Sequence, residues 1–290
     1  MAFKIITDST VNLPHEYLTA NEIGVVTLFY LFDGESFPAY DGENTPPIKN
    51  FYERMRKKPK VSTSCANENQ YYEEFEKGVK SGLTVLYVGF SNGVSASYSC
   101  ALKAKEEILQ TYPNAKIYCV DTLTGSLGQG HFVMQAVKMR SEGQSAETVY
   151  NYILVKREKL NTFVTVDDLY FLYQGGRIPS LTYKVGTLIK IKPIIKINSE
   201  GKLVSHEKVI SRKHSLTKLF TLIRDNVSQS ECDAVYITHG DCEEDALLLS
   251  EKIKSETNIK NITIDYLEPV IGAHTGAGGL AVFFFSERKL

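Results

Sequence analysis

Tryptophan is absent from this 290-residue chain, and so is any apolar run approaching the roughly 20 residues that a membrane-crossing helix needs. The opening Met1-Ala2-Phe3-Lys4-Ile5-Ile6-Thr7-Asp8 is too short and too polar for a secretory signal, so a cytoplasmic protein with no integral membrane segment is expected. Neither sign of charge is in excess. A net charge of −1 gives no basic footprint for nucleic acid. The five cysteines (Cys65, Cys100, Cys119, Cys232, Cys242) are odd in number, scattered and without a C-x-x-C pair, which argues against a disulfide framework or a zinc knuckle and fits a reducing compartment. No G-K-[ST] occurs, and Gly125-x-x-Gly128-x-Gly130 departs from G-x-G-x-x-G, so nucleotide-phosphate and dinucleotide chemistry lack their fingerprints. The six histidines show no H-x-x-x-H or H-E-x-x-H spacing, and Asp241-Cys242-Glu243-Glu244-Asp245 reads as the acidic first turn of a helix. No metal or other cofactor is expected.

What the chain does have is enough apolar material, 43% of its residues, for one large core or two modest ones. Through the first half, short apolar runs alternate with helix-period segments. Strands are predicted at Phe3–Thr7, Val25–Phe32, Leu83–Phe90 and Lys116–Val120. Helices are predicted at Leu13–Ala20, Ile48–Lys57, Asn67–Lys80, Val94–Thr111, Leu127–Ser141 and Ala146–Leu160. The alternation implies a parallel sheet covered by helices, a Rossmann-like domain over residues 1–160. Beyond Asn161 the pattern changes to a strand (Phe163–Val166), a short helix ended by Gly175-Gly176, and a hairpin of Leu188–Ile197 with Lys202–Val209. Helices at Ser215–Asn226 and Glu243–Glu256 alternate with further strands, and a glycine-rich turn around His274 precedes the apolar run Leu280–Phe285. A second α/β domain with a mixed sheet is expected over 161–290.

Three polar turns follow predicted strands of the first domain: Asp8-Ser9-Thr10, Ser91 to Ser97, and Asp121 to Gly130. The carboxyl ends of parallel strands are where open α/β sheets bind ligands, so the turns are expected to share one edge. Serine, threonine and aspartate after a strand also serve simply to cap the next helix. Gly93-Val94-Ser95-Ala96-Ser97 nearly spells the nucleophile elbow G-x-S-x-G, lacking its last glycine. A serine esterase using Ser95 and His274, with Asp241 or Asp265 as the acid, is therefore one reading. Arg177, on a turn after a glycine pair, suits a carboxylate or phosphate. Arg212-Lys213 and the hairpin lysines Lys190, Lys192 and Lys196 form a second basic group, or else a solvated strand face.

Taken in order, Lys4-Ile5-Ile6-Thr7-Asp8-Ser9-Thr10, Thr63-Ser64, Gly93-Val94-Ser95-Ala96-Ser97-Tyr98, Ser126-Leu127-Gly128-Gln129-Gly130, Gly175-Gly176-Arg177-Ile178, Lys190-Ile191-Lys192-Pro193 and Gly272-Ala273-His274-Thr275-Gly276 resemble the DegV family from about Phe3 to Phe285. The resemblance implies a two-domain α/β protein with a lipid tunnel between or within the domains. It implies one bound long-chain fatty acid, such as palmitate, whose carboxyl group is presented to a separate fatty-acid kinase for acyl-phosphate formation and phospholipid metabolism. The chain itself would then be a binding subunit with no catalytic residue. By the same resemblance Thr63 and Ser95 hold the carboxylate, and Arg177, His274, Thr275, Ser64 and Ser126 support its mouth. Arg212 would face the partner. A protein whose lipid serves regulation or interaction is a further alternative. The 17 tyrosines and 14 phenylalanines are compatible with a lined tunnel, although aromatic residues serve first in core packing. The chain departs from the family pattern at Cys65-Ala66-Asn67, where Gln-Pro-Ser is usual, at Ala96 for glycine and at Ala277 for proline. The departures bear on chain selectivity and loop rigidity, and Asn67 still suits a helix cap.

Overall fold

The computed structural model describes residues 3–177, 191–228 and 234–290. The order is β1 (Phe3–Asp8), α1 (His15–Ala20), β2 (Gly24–Val26), β3 (Phe29–Phe32), β4 (Glu35–Pro38), α2 (Ile48–Met55), β5 (Val61–Ser64) and α3 (Glu68–Lys80). Next come β6 (Thr84–Gly89), α4 (Ser97–Thr111), β7 (Ile117–Asp121), α5 (Ser126–Ser141), α6 (Ala146–Lys156), β8 (Leu160–Thr165) and α7 (Tyr170–Gln174). The remainder is β9 (Ile191–Ile197), β10 (Leu203–Ile210), α8 (Arg212–Asn226), β11 (Ala234–His239), α9 (Glu243–Glu256), β12 (Asn261–Tyr266), α10 (Pro269–Thr275) and β13 (Leu280–Phe285).

The chain divides into two units. One comprises residues 1–29, 37–45 and 64–157; the other takes 30–36, 46–63 and 158–290. The single cut expected at 160/161 is thus corrected: two N-terminal stretches belong with the C-terminal unit. Aromatic packing explains it, because the Tyr30, Phe32 and Phe51 rings meet edge-on or tilted with centroids 5.1–5.5 Å apart, and the buried Tyr52 hydroxyl donates to the Leu267 carbonyl at 2.7 Å.

The first unit is built on a parallel sheet ordered β2-β1-β6-β7, with Ile5 opposite Leu86 and Tyr87 opposite Cys119. Ile5, Ile6 and Val85 to Val88 are fully buried, as strands covered on both faces require. Helix α3 opens on a complete capping box, with Asn67 Oδ1 accepting from Gln70 N and Gln70 Oε1 from Asn67 N, both at 3.0 Å. The run Val25–Phe32 is two strands rather than one. Leu28 N–H donates to Ser9 Oγ instead of a sheet neighbour, so pairing breaks there and β3 leaves for another sheet.

The second unit holds a six-stranded mixed sheet ordered β10-β9-β8-β13-β11-β12, antiparallel throughout except for the β11/β12 pair. Helices α8 and α9 bury Leu219, Ile223, Leu249 and Ile253 against Phe163, Ile194, Ile237 and Phe284 of this sheet. The expected hairpin is present as β9 and β10, and its residues Leu188, Ile189 and Lys190 lie outside the described residues. A three-stranded sheet ordered β4-β3-β5 was not foreseen, since Val61-Ser-Thr-Ser64 is short and polar. The glycine turn holding His274 is corrected as well. Glu268 accepts hydrogen bonds from Val270 N and Ile271 N, Pro269 fills the first helical position, and residues 269–275 form a helix; the turn begins at Gly276, at φ 73°.

Candidate functional site

In the first unit the three polar turns share one edge, as their strand order requires. Ser126 N–H donates to Thr10 O at 2.9 Å and Ser91 N–H to Thr124 O at 3.0 Å. Asp8 ties them from beneath. Fully buried, it accepts from Thr10 N at 3.1 Å and Thr10 Oγ1 at 2.5 Å on one oxygen, and from Tyr87 Oη at 2.8 Å and Phe90 N at 3.0 Å on the other. A buried carboxylate with every lone pair engaged is a structural anchor. Ser95 lies in the turn before α4, half-buried, its Oγ 3.0 Å from Ser97 Oγ and accepting from Ser97 N at 3.3 Å. Ser126 takes a left-handed conformation, φ 52°, with its Oγ on Asn12 Oδ1 at 3.3 Å. Ser64 is exposed and bonded to its neighbour's carbonyl, Cys65 O, at 3.2 Å.

The second unit brings Thr63 and His274 together across 211 residues of sequence: Thr63 Oγ1 lies 2.8 Å from His274 Nε2. Thr63 ends β5 and His274 sits on the last turn of α10. The opposite ring atom, Nδ1, is buried with no hydrogen-bond partner among the described residues, and a Cβ built on Gly175 would stand 2.1 Å from it. Glycine at 175 is what allows the helix end of α7 to pass so close to the ring. Gly176, at φ 68°, then turns the chain, and Arg177 Nη1 donates back to Gly175 O at 2.6 Å. Burial, and next the Arg177 charge, lower His274 from its ordinary 6.5 to about 3, so the imidazole is neutral at physiological pH. A bare buried acceptor is commoner than a bare buried N–H. On that ground the proton is assigned to Nε2, donating to Thr63 Oγ1 and leaving the threonine O–H free to donate elsewhere.

Thr275 is buried, with its hydroxyl on Ile271 O at 3.2 Å. Arg212 is only 18% exposed; it bonds Asp245 Oδ2 at 2.7 Å and Cys242 Sγ at 3.3 Å and lies 3.8 Å from Asp167. Lys192 pairs with Asp167 at 3.2 Å and Lys196 reaches Leu290 O at 2.9 Å, so the described hairpin lysines are engaged within the unit. Ile178, Pro179, Lys190 and Cys232 lie outside the described residues.

The geometry does not build the esterase alternative. Ser95 lacks the left-handed backbone of a nucleophile elbow, Asp241 is held by Arg56 at 2.6 Å, and no described acceptor reaches His274 Nδ1. Among the described residues no cluster of three or more His, Cys, Asp or Glu is arranged to hold a metal, and no helix is long and apolar enough to cross a membrane. Two features escaped the sequence. The Thr63–His274 pair has no local signal, whereas Asp8 carried one, a carboxylate ending a mostly buried strand.

The family model for uncharacterised proteins of the DegV family matches residues 2–287. A DegV domain-containing protein of Clostridium perfringens is 39% identical over 99% of this chain and 98% of its own length. Among solved structures, DegV of Bacillus subtilis, described as a fatty acid binding protein, is 25% identical with a TM-score of 0.83, covering 99% of this chain and 100% of its own. A fatty acid binding DegV family protein of Streptococcus agalactiae is likewise 25% identical, with a TM-score of 0.85 over 99% and 100% of the two chains. With that match over nearly its whole length, the chain belongs to the DegV family.

Proposed function

We propose that this protein binds one long-chain fatty acid, of the palmitate class, and presents its carboxyl group to a partner fatty-acid kinase. The observation that carries the reading is the neutral His274–Thr63 pair beside Arg177. The structural neighbours described as fatty acid binding proteins support it. Burying a sixteen-carbon chain removes about 14 methylenes from water, on the order of 11 kcal/mol before ordering costs. The tail therefore supplies the affinity, and the head group needs only that its buried carboxylate be hydrogen-bonded.

A neutral hydroxyl donor at Thr63, backed by His274, meets that need without a tight ion pair, and Ser95 is proposed as a second hydroxyl. The carboxylate oxygens then stay nucleophilic toward a phosphoryl group brought by the partner. Arg177 supplies a positive charge for the developing negative charge of that transfer, and Ser64, Ser126 and Thr275 shape the loops around the hydroxyls. Arg212, fixed by Asp245 and Asp167, serves as an oriented cation toward the partner. Mass spectrometry of the denatured, purified protein is expected to release a fatty acid of roughly 14 to 18 carbons, long enough for its buried methylenes to supply the affinity. Release of none, with no uptake of added palmitate, overturns the reading.

A further inference from the structure

Cysteine stands at 65, immediately after the Thr63-Ser64 pair. The spacing of the five cysteines hides what the fold does with two of them. Helices α3 and α4 run side by side in the same direction, and two contacts fix their register. Glu68 Oε1 accepts from Lys103 Nζ at 2.6 Å, and Glu76 Oε1 accepts from Tyr112 Oη at 2.9 Å. Both contacts join residues 35 or 36 apart, one near the start of the α3/α4 contact and one near its end. Cys100 precedes Lys103 by one turn of α4, and Cys65 precedes Glu68 in the link that leads into α3. The Cys65 thiol lies near enough to Cys100 to disfavour its thiolate. Both are free and partly accessible to solvent.

Their surroundings set how they react. Burial first, then Cys65, then the Glu68 carboxylate raise Cys100 above its ordinary value, with Lys103 opposing. Lys103 is already committed to Glu68. Cys100 is therefore held further toward the thiol than an ordinary cysteine, which slows its own reaction with an oxidant. Cys65 lies in the non-helical link between β5 and α3, ahead of the Asn67 cap, where the backbone is able to adjust to the fixed geometry that a disulfide demands. An isolated pair of this kind, where all the described cysteines are free, has the character of a redox-responsive bond.

We propose that Cys65 and Cys100 form a reversible disulfide that clamps the link after Thr63-Ser64 onto the first turn of α4, close in sequence to Ser95. With hydrogen peroxide as oxidant, the Cys65 sulfur attacks one peroxide oxygen and the O–O bond breaks, giving a sulfenic acid and one water. The Cys100 sulfur then attacks the Cys65 sulfur, the S–O bond breaks, and the departing hydroxide leaves as a second water with the Cys100 proton. A dithiol reverses the bond, becoming a disulfide itself. That the clamp alters fatty-acid binding rests on the function proposed above.

The experiment treats the full-length protein with equimolar peroxide and reads intact mass, peptide maps and hydrogen exchange before and after dithiothreitol. Expected are a loss of about 2 Da, a Cys65–Cys100 linked peptide, slowed exchange over residues 64–70, and reversal by the dithiol. Cys65→Ser and Cys100→Ser each abolish all of these. A different linked pair, or Cys65 passing to sulfinic acid without a link, overturns the proposal; a link that leaves exchange over 64–70 unchanged overturns the clamp. These readouts need no lipid. Titration with the fluorescent fatty acid cis-parinaric acid separates the two ideas: reduced protein that binds none refutes the fatty-acid reading alone. In reduced protein that binds, oxidation is expected to change Kd by about threefold or more, in wild type but in neither serine variant.

Discussion

Replacing His274 by glutamine should flatten the acid sensitivity of the second unit by an amount that the structure fixes. Between pH 7 and pH 5 an unfolded histidine, with its ordinary value of 6.5, takes up a proton, whereas folded His274, held at about 3, stays neutral. The unfolded chain thus binds more protons across this window, and stability falls as pH falls. At pH 5 the solution lies about 1.5 units below the ordinary value, so His274 alone costs about 2 kcal/mol relative to pH 7. His131, lowered by burial to about 4, adds a similar loss in wild type and variant alike, so the difference between the two proteins isolates His274. The assay is urea unfolding followed by far-UV circular dichroism at pH 7, 6 and 5, since the chain offers no tryptophan signal. His274→Gln should lose about 2 kcal/mol less than wild type over that range. Parallel pH slopes for the two proteins, or an NMR titration placing His274 near 6, would refute the assignment of a neutral ring set by burial and Arg177.

Thr63→Val removes the hydroxyl while keeping the β-branched shape; fatty-acid affinity by calorimetry is expected to fall about tenfold, and the buried His274 N–H left without its acceptor to cost about 1–3 kcal/mol in unfolding free energy. Gly175→Ala places a methyl 2.1 Å from His274 Nδ1, so the ring must move, and the loss of palmitate binding should match or exceed that of Thr63→Val. Tyr52→Phe leaves the Leu267 carbonyl without its 2.7 Å donor in a fully buried site, at a cost of about 1–3 kcal/mol in unfolding free energy measured by denaturant titration.

Much of the architecture was legible because local signals agreed with the fold. Asn67 announced its capping box, Asn198-Ser199-Glu200-Gly201 its hairpin turn, and three strands ending in Asp8, Gly89 and Asp121 their common edge. His274 was misplaced because the glycines from 272 to 279 outweighed the Glu268-Pro269 start signal, although a carboxylate followed by proline is what a helix N-terminus needs. Strand β5 was invisible for a different reason: Val61-Ser-Thr-Ser64 has no apolar alternation, and its strand form comes from pairing with β3. The proposed head-group residues could be nominated one by one from the resemblance. The contact of Thr63 with His274 arises only from tertiary register, which no window of sequence contains.

The division of the chain carries a consequence for synthesis and for engineering. Because the polypeptide passes between the two units five times, neither unit is a contiguous segment. A fragment cut at residue 157 would keep Tyr30, Phe32 and Phe51 without the 158–290 partners of their unit, and a fragment starting at 158 would lack α2 and the strand that carries Thr63. On the ribosome those aromatic rings emerge more than a hundred residues ahead of the segment that completes their unit. The nascent chain must therefore carry an exposed apolar patch until synthesis is nearly finished, a window in which chaperone capture competes with aggregation.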